Sequence, residues 1–174
     1  MDDLKQSISK GWEGLPPPTA AELLDEPGLS ESEARSRVGM DDEWLVGLFL
    51  GKRFDEVDCQ ALLDTRGDVP QHYMGEYAGM YYAGSLLLCA VDLLNANAAE
   101  REMGRLVREL ISTQDIDSIA TWSGPQMLAV SSVYMEVARW IEAQPSAPWA
   151  ESARLLADRS TIIKELASRD IPGA

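Results

Sequence analysis

Between Glu76 and Asp92 the chain passes through 15 residues without a charge, YAGMYYAGSLLLCAV. Such a run must leave water, and where it goes decides the fold. A membrane-spanning helix needs roughly 20 predominantly apolar residues. This run is shorter, acidic residues bound it, and no Lys or Arg cluster anchors either end. A buried central helix satisfies it without a membrane. The wider stretch, HYMGEYAGMYYAGSLLLCAVDLL from 72 to 94, contains Gly75-x-x-x-Gly79-x-x-x-Ala83. Small residues at that spacing let another helix approach closely. Each helical Gly costs roughly 0.5–1 kcal/mol, so tight packing is expected to offset it. Tyr73, Tyr77 and Tyr81 fall four apart and read as a ladder on a neighbouring stripe. A tyrosine buries a large apolar body while its hydroxyl needs a partner. The expectation is a core helix whose hydroxyls reach the rim. The alternative is an aromatic stripe for a partner, because Tyr is enriched at interfaces.

The remaining periodicity is helical throughout. Leu4, Ile8 and Trp12 mark a first helix over residues 2–13, which stops at Gly14 before a stiff Leu15-Pro16-Pro17-Pro18 link. Thr19 caps a short helix through Leu24, and Pro27-Gly28 ends it. Ser30-x-x-Glu33 is a capping box for another short helix ending near Gly39. Asp41 is expected to cap DDEWLVGLFLG, with Gly51 closing it, and Asp58 opens DCQALLDTRG, which ends at Gly67. Pro70 stands where the long helix should begin, running to about Leu94. Asn97-x-x-Glu100 caps the next helix, in which Met103, Leu106, Val107, Leu110 and Ile111 form the inner stripe and Arg101, Arg105 and Arg108 the other side. Residues 112–122 read as a loop or one turn. Ser123-Gly-Pro125-Gln126 opens a helix with Met127, Leu128, Val130, Val133, Tyr134, Val137 and Ile141 inward, and Pro145 ends it. Ser146-Ala-Pro148 starts the last helix, carrying Leu155, Leu156, Ile162, Ile163 and Leu166 until Pro172-Gly173. Strand alternation, internal repeats and low-complexity segments are missing. The pattern predicts an all-α, single-domain helical bundle with three or four long helices and several short N-terminal helices. A short-helix acidic region, 1–67, is expected to pack on a long-helix bundle, 68–170. A chain of 174 residues can bury such a core without staples.

Charge narrows the partners. Fifteen Lys and Arg stand against 29 Asp and Glu, a net −14. Phosphates repel such a surface, so nucleic acid and anionic membrane are poor partners. A basic protein is a good one, because opposite potentials speed encounter and select partners. From Glu22 to Glu43 eight acidic residues face only Arg35 and Arg37, leaving six net negative charges in 22 residues. The segment reads either as a solvated face or as a recognition surface, with Glu31, Glu33, Asp41, Asp42 and Glu43 pairing Lys and Arg. Trp44, Tyr73 and Tyr77 are the candidate anchors beside it. Cys59 and Cys89 are too few for a disulfide framework. Cys89 reads as a small buried hydrophobe, and two free thiols fit a reducing cytoplasm, with one disulfide as the alternative. MDDLKQSISKGW has no basic stretch followed by an apolar one, so no signal peptide is expected.

Signatures of chemistry are absent from the sequence. His72 is the only histidine, and Gly84-Ser85 lacks nucleophile-elbow spacing. Walker and G-x-G-x-x-G loops are missing. His72 and Glu76 are four apart and could share a metal, but a carboxylate-bridged bundle would want two Glu-x-x-His motifs. Asp115-x-Asp117 and Asp41-Asp42-Glu43 could hold Mg²⁺ loosely, yet serve equally as caps and first-turn charges. The expectation is a protein that is not an enzyme, with no cofactor and no metal.

The order of features resembles a family of small uncharacterised bacterial proteins. ISKGWEGLPPP is similar to that family's I-x-x-A-F-x-x-x-P-x-P opening. EWLVGLFLGKRFDEVDCQALL resembles its F-x-G-K-x-W-x-x-L segment, with Phe54 where Trp is usual. PQHYMGEYAGMYYAGSLLL resembles its Y-Y-L-P-A-Y-L helix, with Gly75 and Glu76 near the usual Pro-Ala. WSGPQMLAVSSVYMEVARWIEA resembles its L-T-x-E-Q-x-x-A-V-x-x-F-L helix, with Gln126 at the recurring Gln. The resemblance spans roughly residues 8–145 and implies an all-helical bacterial cytoplasmic protein. Families of this kind resemble partners encoded beside toxins, so it implies, by analogy, an acidic immunity protein that neutralises a basic toxin. A helical adaptor or chaperone for a secreted effector is the second expectation. A metal-dependent enzyme centred on His72 and Glu76 is the third.

Overall fold

The computed structural model describes residues 1–37, 42–64, 73–113, 115–144 and 149–169. Among them are ten α helices, one 3-10 turn and no strand. The fold is all-α: four long helices, α6 (Glu76–Asn95), α7 (Glu100–Thr113), α9 (Gly124–Glu142) and α10 (Ala150–Arg169), follow several short ones. Packing divides the chain into two compact units, residues 14–86 and residues 1–13 with 87–174. The division expected at 67/68 lies outside the described residues. So do the breakpoints assigned to Gly39, Gly67, Pro70, Pro145 and Pro172, and the residues Asp41 and His72.

In residues 14–86 local chemistry sets the short elements. Thr19 and Glu22 close a capping box on α2 (Ala20–Leu23), and Ser30 and Glu33 close another on α3 (Glu31–Arg35). Each box satisfies helix-end donors that no backbone carbonyl can reach. Gly28, at φ 85°, turns the chain between them. The N-cap of helix α4 (Glu43–Phe49) lies one residue later than the Asp41 assigned to it. Asp42 stands at its N-cap without a side-chain cap bond. Gly51, at φ 78°, follows the helix and takes the left-handed conformation expected of it. Asp58 caps α5 (Cys59–Leu63) by accepting from the Ala61 amide at 2.8 Å.

The long apolar helix starts at Glu76, not near Pro70. Its neighbour explains why. The Gly75 amide donates to the Leu23 carbonyl at 3.3 Å, and a Cβ at residue 75 would lie 2.3 Å from the Glu22 carbonyl oxygen. The backbone at Gly75 is pressed onto the end of α2, so its donor leaves the helical ladder. Of the expected small-residue groove, Gly75 makes a close contact and Ala83 is buried, whereas a Cβ at Gly79 would meet nothing within 4 Å. Tyr73 precedes the helix, so the tyrosine ladder loses its first rung. Tyr77 and Tyr81 keep theirs, with ring centroids 6.2 Å apart. The hydroxyls reach carbonyls elsewhere in the unit. Tyr77 donates to Pro16 at 2.7 Å, and Ser85 donates to Phe54 at 2.6 Å. Tyr82 Oη lies 2.7 Å from the Phe49 carbonyl and 2.9 Å from that of Lys52, so one proton serves two acceptors at the end of α4. Burial pushes the Tyr82 phenol up. At 20 residues, α6 is long and apolar enough to cross a membrane, with mean hydropathy 1.3, yet 61% of that window is buried in the fold.

Residues 1–13 and 87–174 form the second unit. Helix α1 (Asp2–Trp12) buries Ile8 and Trp12, and Trp12 meets Trp122 edge-on at 6.1 Å. Gly11 sits on the backbone of Pro125 and Gln126 at the start of α9, where a Cβ would come within 3.2 Å of the Gln126 Cα. Asn97 does not cap α7. At φ 47° it closes α6 instead, with Ala98 N donating to Leu93 O at 3.0 Å and Asn97 N to Leu94 O at 3.2 Å. That pair of bonds is a Schellman motif, which wants a left-handed residue where Asn97 stands. Among the described residues of 112–122, α7 ends at Thr113 and one short helix follows, α8 (Ile116–Ile119). In α9 and α10 the inner stripes match expectation except for Leu128, Leu155 and Ile162, which are exposed. Ser131 and Ser160, both buried, bring α9 against α10. Each hydroxyl reaches the other residue's carbonyl, at 2.9 and 2.8 Å. Cys59 and Cys89 are both disulfide-bonded, which replaces the expected free thiols.

Candidate functional site

The acidic segment is organised largely by its own pairings. Glu22 accepts from the Thr19 amide and hydroxyl, both at 2.8 Å. Glu33 accepts from the Ser30 amide at 2.9 Å and from the Ser30 hydroxyl, which holds its carboxyl below the usual glutamate range. Glu31 pairs with Arg35 one turn away, at 2.7 Å. Arg37 bridges two carboxylates, Asp42 at 2.8 Å and Glu26. The hydrogen bonds to Asp42 and Glu26 hold its proton more tightly still. These bonds tie the entrance of α4 to the loop after α2, across 5 and 11 residues of chain. Charge repulsion alone would spread this segment; the pairings compact it while leaving it net negative.

Beside them the structure joins two of the expected anchors. Trp44, on the first turn of α4, meets Tyr73 edge-to-face with centroids 6.1 Å apart. Tyr73 is 56% exposed and Trp44 is partly so. Asp42 and Glu43 immediately precede Trp44, and Glu43 is exposed. Aromatic groups edged by carboxylates suit recognition of Lys and Arg, which offer an apolar stem and a cationic head. Tyr77 is not part of that pair. Its hydroxyl is committed to Pro16, and burial, then the Glu22 charge, raises its pKa. Glu31 and Glu33 sit on α3 and serve it as pair and cap. Asp41 lies outside the described residues. Sequence reasoning missed Arg37 as the organiser. It counted only as an opposing charge, and no local pattern marks an arginine that bridges 26 and 42.

Among the described residues no group of three or more His, Cys, Asp or Glu could hold a metal ion. The arrangement offers carboxylates and aromatic rings as binding groups. No protein family, curated protein or solved structure matches the chain. The family resemblance therefore rests on its motifs alone.

Proposed function

We propose that the protein binds and neutralises a basic protein, acting as the immunity partner of a secreted antibacterial toxin. The observation that carries this reading is the Trp44–Tyr73 pair, with Tyr73 exposed and Trp44 partly so, next to Asp42 and Glu43 at the end of a segment of six net negative charges. Carboxylates steer and orient a cationic partner, and a desolvated aromatic anchor slows its release. Inhibition would come from covering the partner's active surface, not from chemistry. The informative substitutions are Glu43→Lys, at an exposed position in the first turn of α4, and Trp44→Ala beside it. Glu43→Lys is expected to slow association and flatten its salt dependence, and Trp44→Ala to speed dissociation. Unchanged rates for both would remove this surface from the reading. Capture that ignores salt would favour the adaptor.

A cytoplasmic location is part of the proposal, and the family resemblance supports it. The cysteines argue the other way, because the cytoplasm keeps most thiols reduced. Because Cys89 is buried, alkylation of acid-quenched cells after denaturation tests the location. Two reactive thiols fit the cytoplasm, and none would move the protein to an oxidising compartment.

A further inference from the structure

Three arginines on one face of α7 line a cavity of about 550 Å³. Arg101, Arg105 and Arg108 stand at i, i+4 and i+7, which places them on one side of the helix. The opposite side carries Met103, Leu106 and Leu110 into the core. Trp149, at the entrance of α10, supplies another wall. Its indole lies against Gly104, where a Cβ would come within 2.7 Å of a ring carbon. A mid-helix glycine costs roughly 0.5–1 kcal/mol, and here the missing Cβ is what admits the indole. Val107 and Ile111 also line the space, and no Asp or Glu is among its lining residues.

That sign is opposite to the rest of the molecule. In a chain of net −14, a solvated helix face is expected to mix its arginines with carboxylates. Arg101 and Arg108 are exposed and form no ion pair with the described residues. Guanidinium groups present forked donors that match carboxylate and phosphate oxygens. The volume lies within the roughly 300–1,000 Å³ common for small-molecule sites. We infer that this cavity binds a small molecule bearing an oxyanion on an apolar body, its phosphate or carboxylate held by Arg101 and Arg108 and its body against Trp149, Val107 and Ile111. The inference does not depend on the proposed partner.

Calorimetric titration of the full chain with phenyl phosphate, inorganic phosphate and benzyl alcohol tests the inference. Phenyl phosphate is expected to bind saturably, with Kd below about 1 mM, and benzyl alcohol at least about tenfold more weakly. Inorganic phosphate is expected to fall behind phenyl phosphate, because it has no body to place against the indole. The double variant Arg101→Gln, Arg108→Gln, with its helical circular dichroism unchanged, should weaken phenyl phosphate by about tenfold or more. Three results would each overturn the site: no saturable binding of phenyl phosphate, benzyl alcohol binding equally well, or a double variant that binds as tightly as the parent.

Discussion

Two glycines four residues apart do opposite things. Gly75 is fixed by contact with the Glu22 carbonyl, whereas Gly79 faces open space. Gly75→Ala must displace backbone and should cost about 1–3 kcal/mol, the range for overpacking. Gly79→Ala should stabilise by roughly 0.5–1 kcal/mol, the helical preference for Ala. Urea denaturation of both variants checks the contrast, and equal shifts would contradict the packing at α2. The same scale shows where sequence reading stops. Both glycines fit one small-residue series, and nothing in their spacing marks the one that meets a neighbour. Asn97 is similar. A capping box three residues before Glu100 and a Schellman close of α6 share the same letters, and only the left-handed backbone decides between them.

Among the elements, α6 is held by hydroxyls as well as by apolar burial. Tyr82 is fully buried and reaches two carbonyls at the end of α4. Tyr82→Phe leaves them without that donor and should cost about 1–3 kcal/mol, whereas Tyr77→Phe, whose bond is exposed, should cost less than about 1 kcal/mol. Thermal or urea unfolding of the pair checks the order. The short helix α3 carries a pH dependence of known sign. Glu33 has a folded-state pKa below its ordinary 4.5, so its contribution is present above that value and fades as pH falls through the folded-state one. Glu33→Gln keeps a capping side chain but cannot titrate. It should flatten the acid limb of stability in that window, which unfolding curves at several pH values would reveal. Helix existence was legible here because capping boxes and apolar periodicity are local. The start of α6 was not, because its cause is a contact with residues 22 and 23.

For the molecule as a whole, the all-α class followed from periodicity and breakers, and the acidic segment was visible as charge. What composition could not show is how that charge is spent. Glu22 and Glu33 cap helices, Glu31 pairs locally, and Glu26 and Asp42 share Arg37. The pairing of Trp44 with Tyr73 and the approach of Trp149 to Gly104 were equally hidden, since 29 and 45 residues of chain separate the partners. The central claim is that the Trp44–Tyr73 surface and its carboxylates hold a basic protein. It is tested most directly by capture from the native cells at low and high salt, using parent, Glu43→Lys and Trp44→Ala baits, with mass spectrometry of what is retained. The account predicts one basic protein held by the parent at low salt, less of it at high salt, and a clear loss on both variants. A partner retained equally by all three baits, or no partner at all, would contradict it.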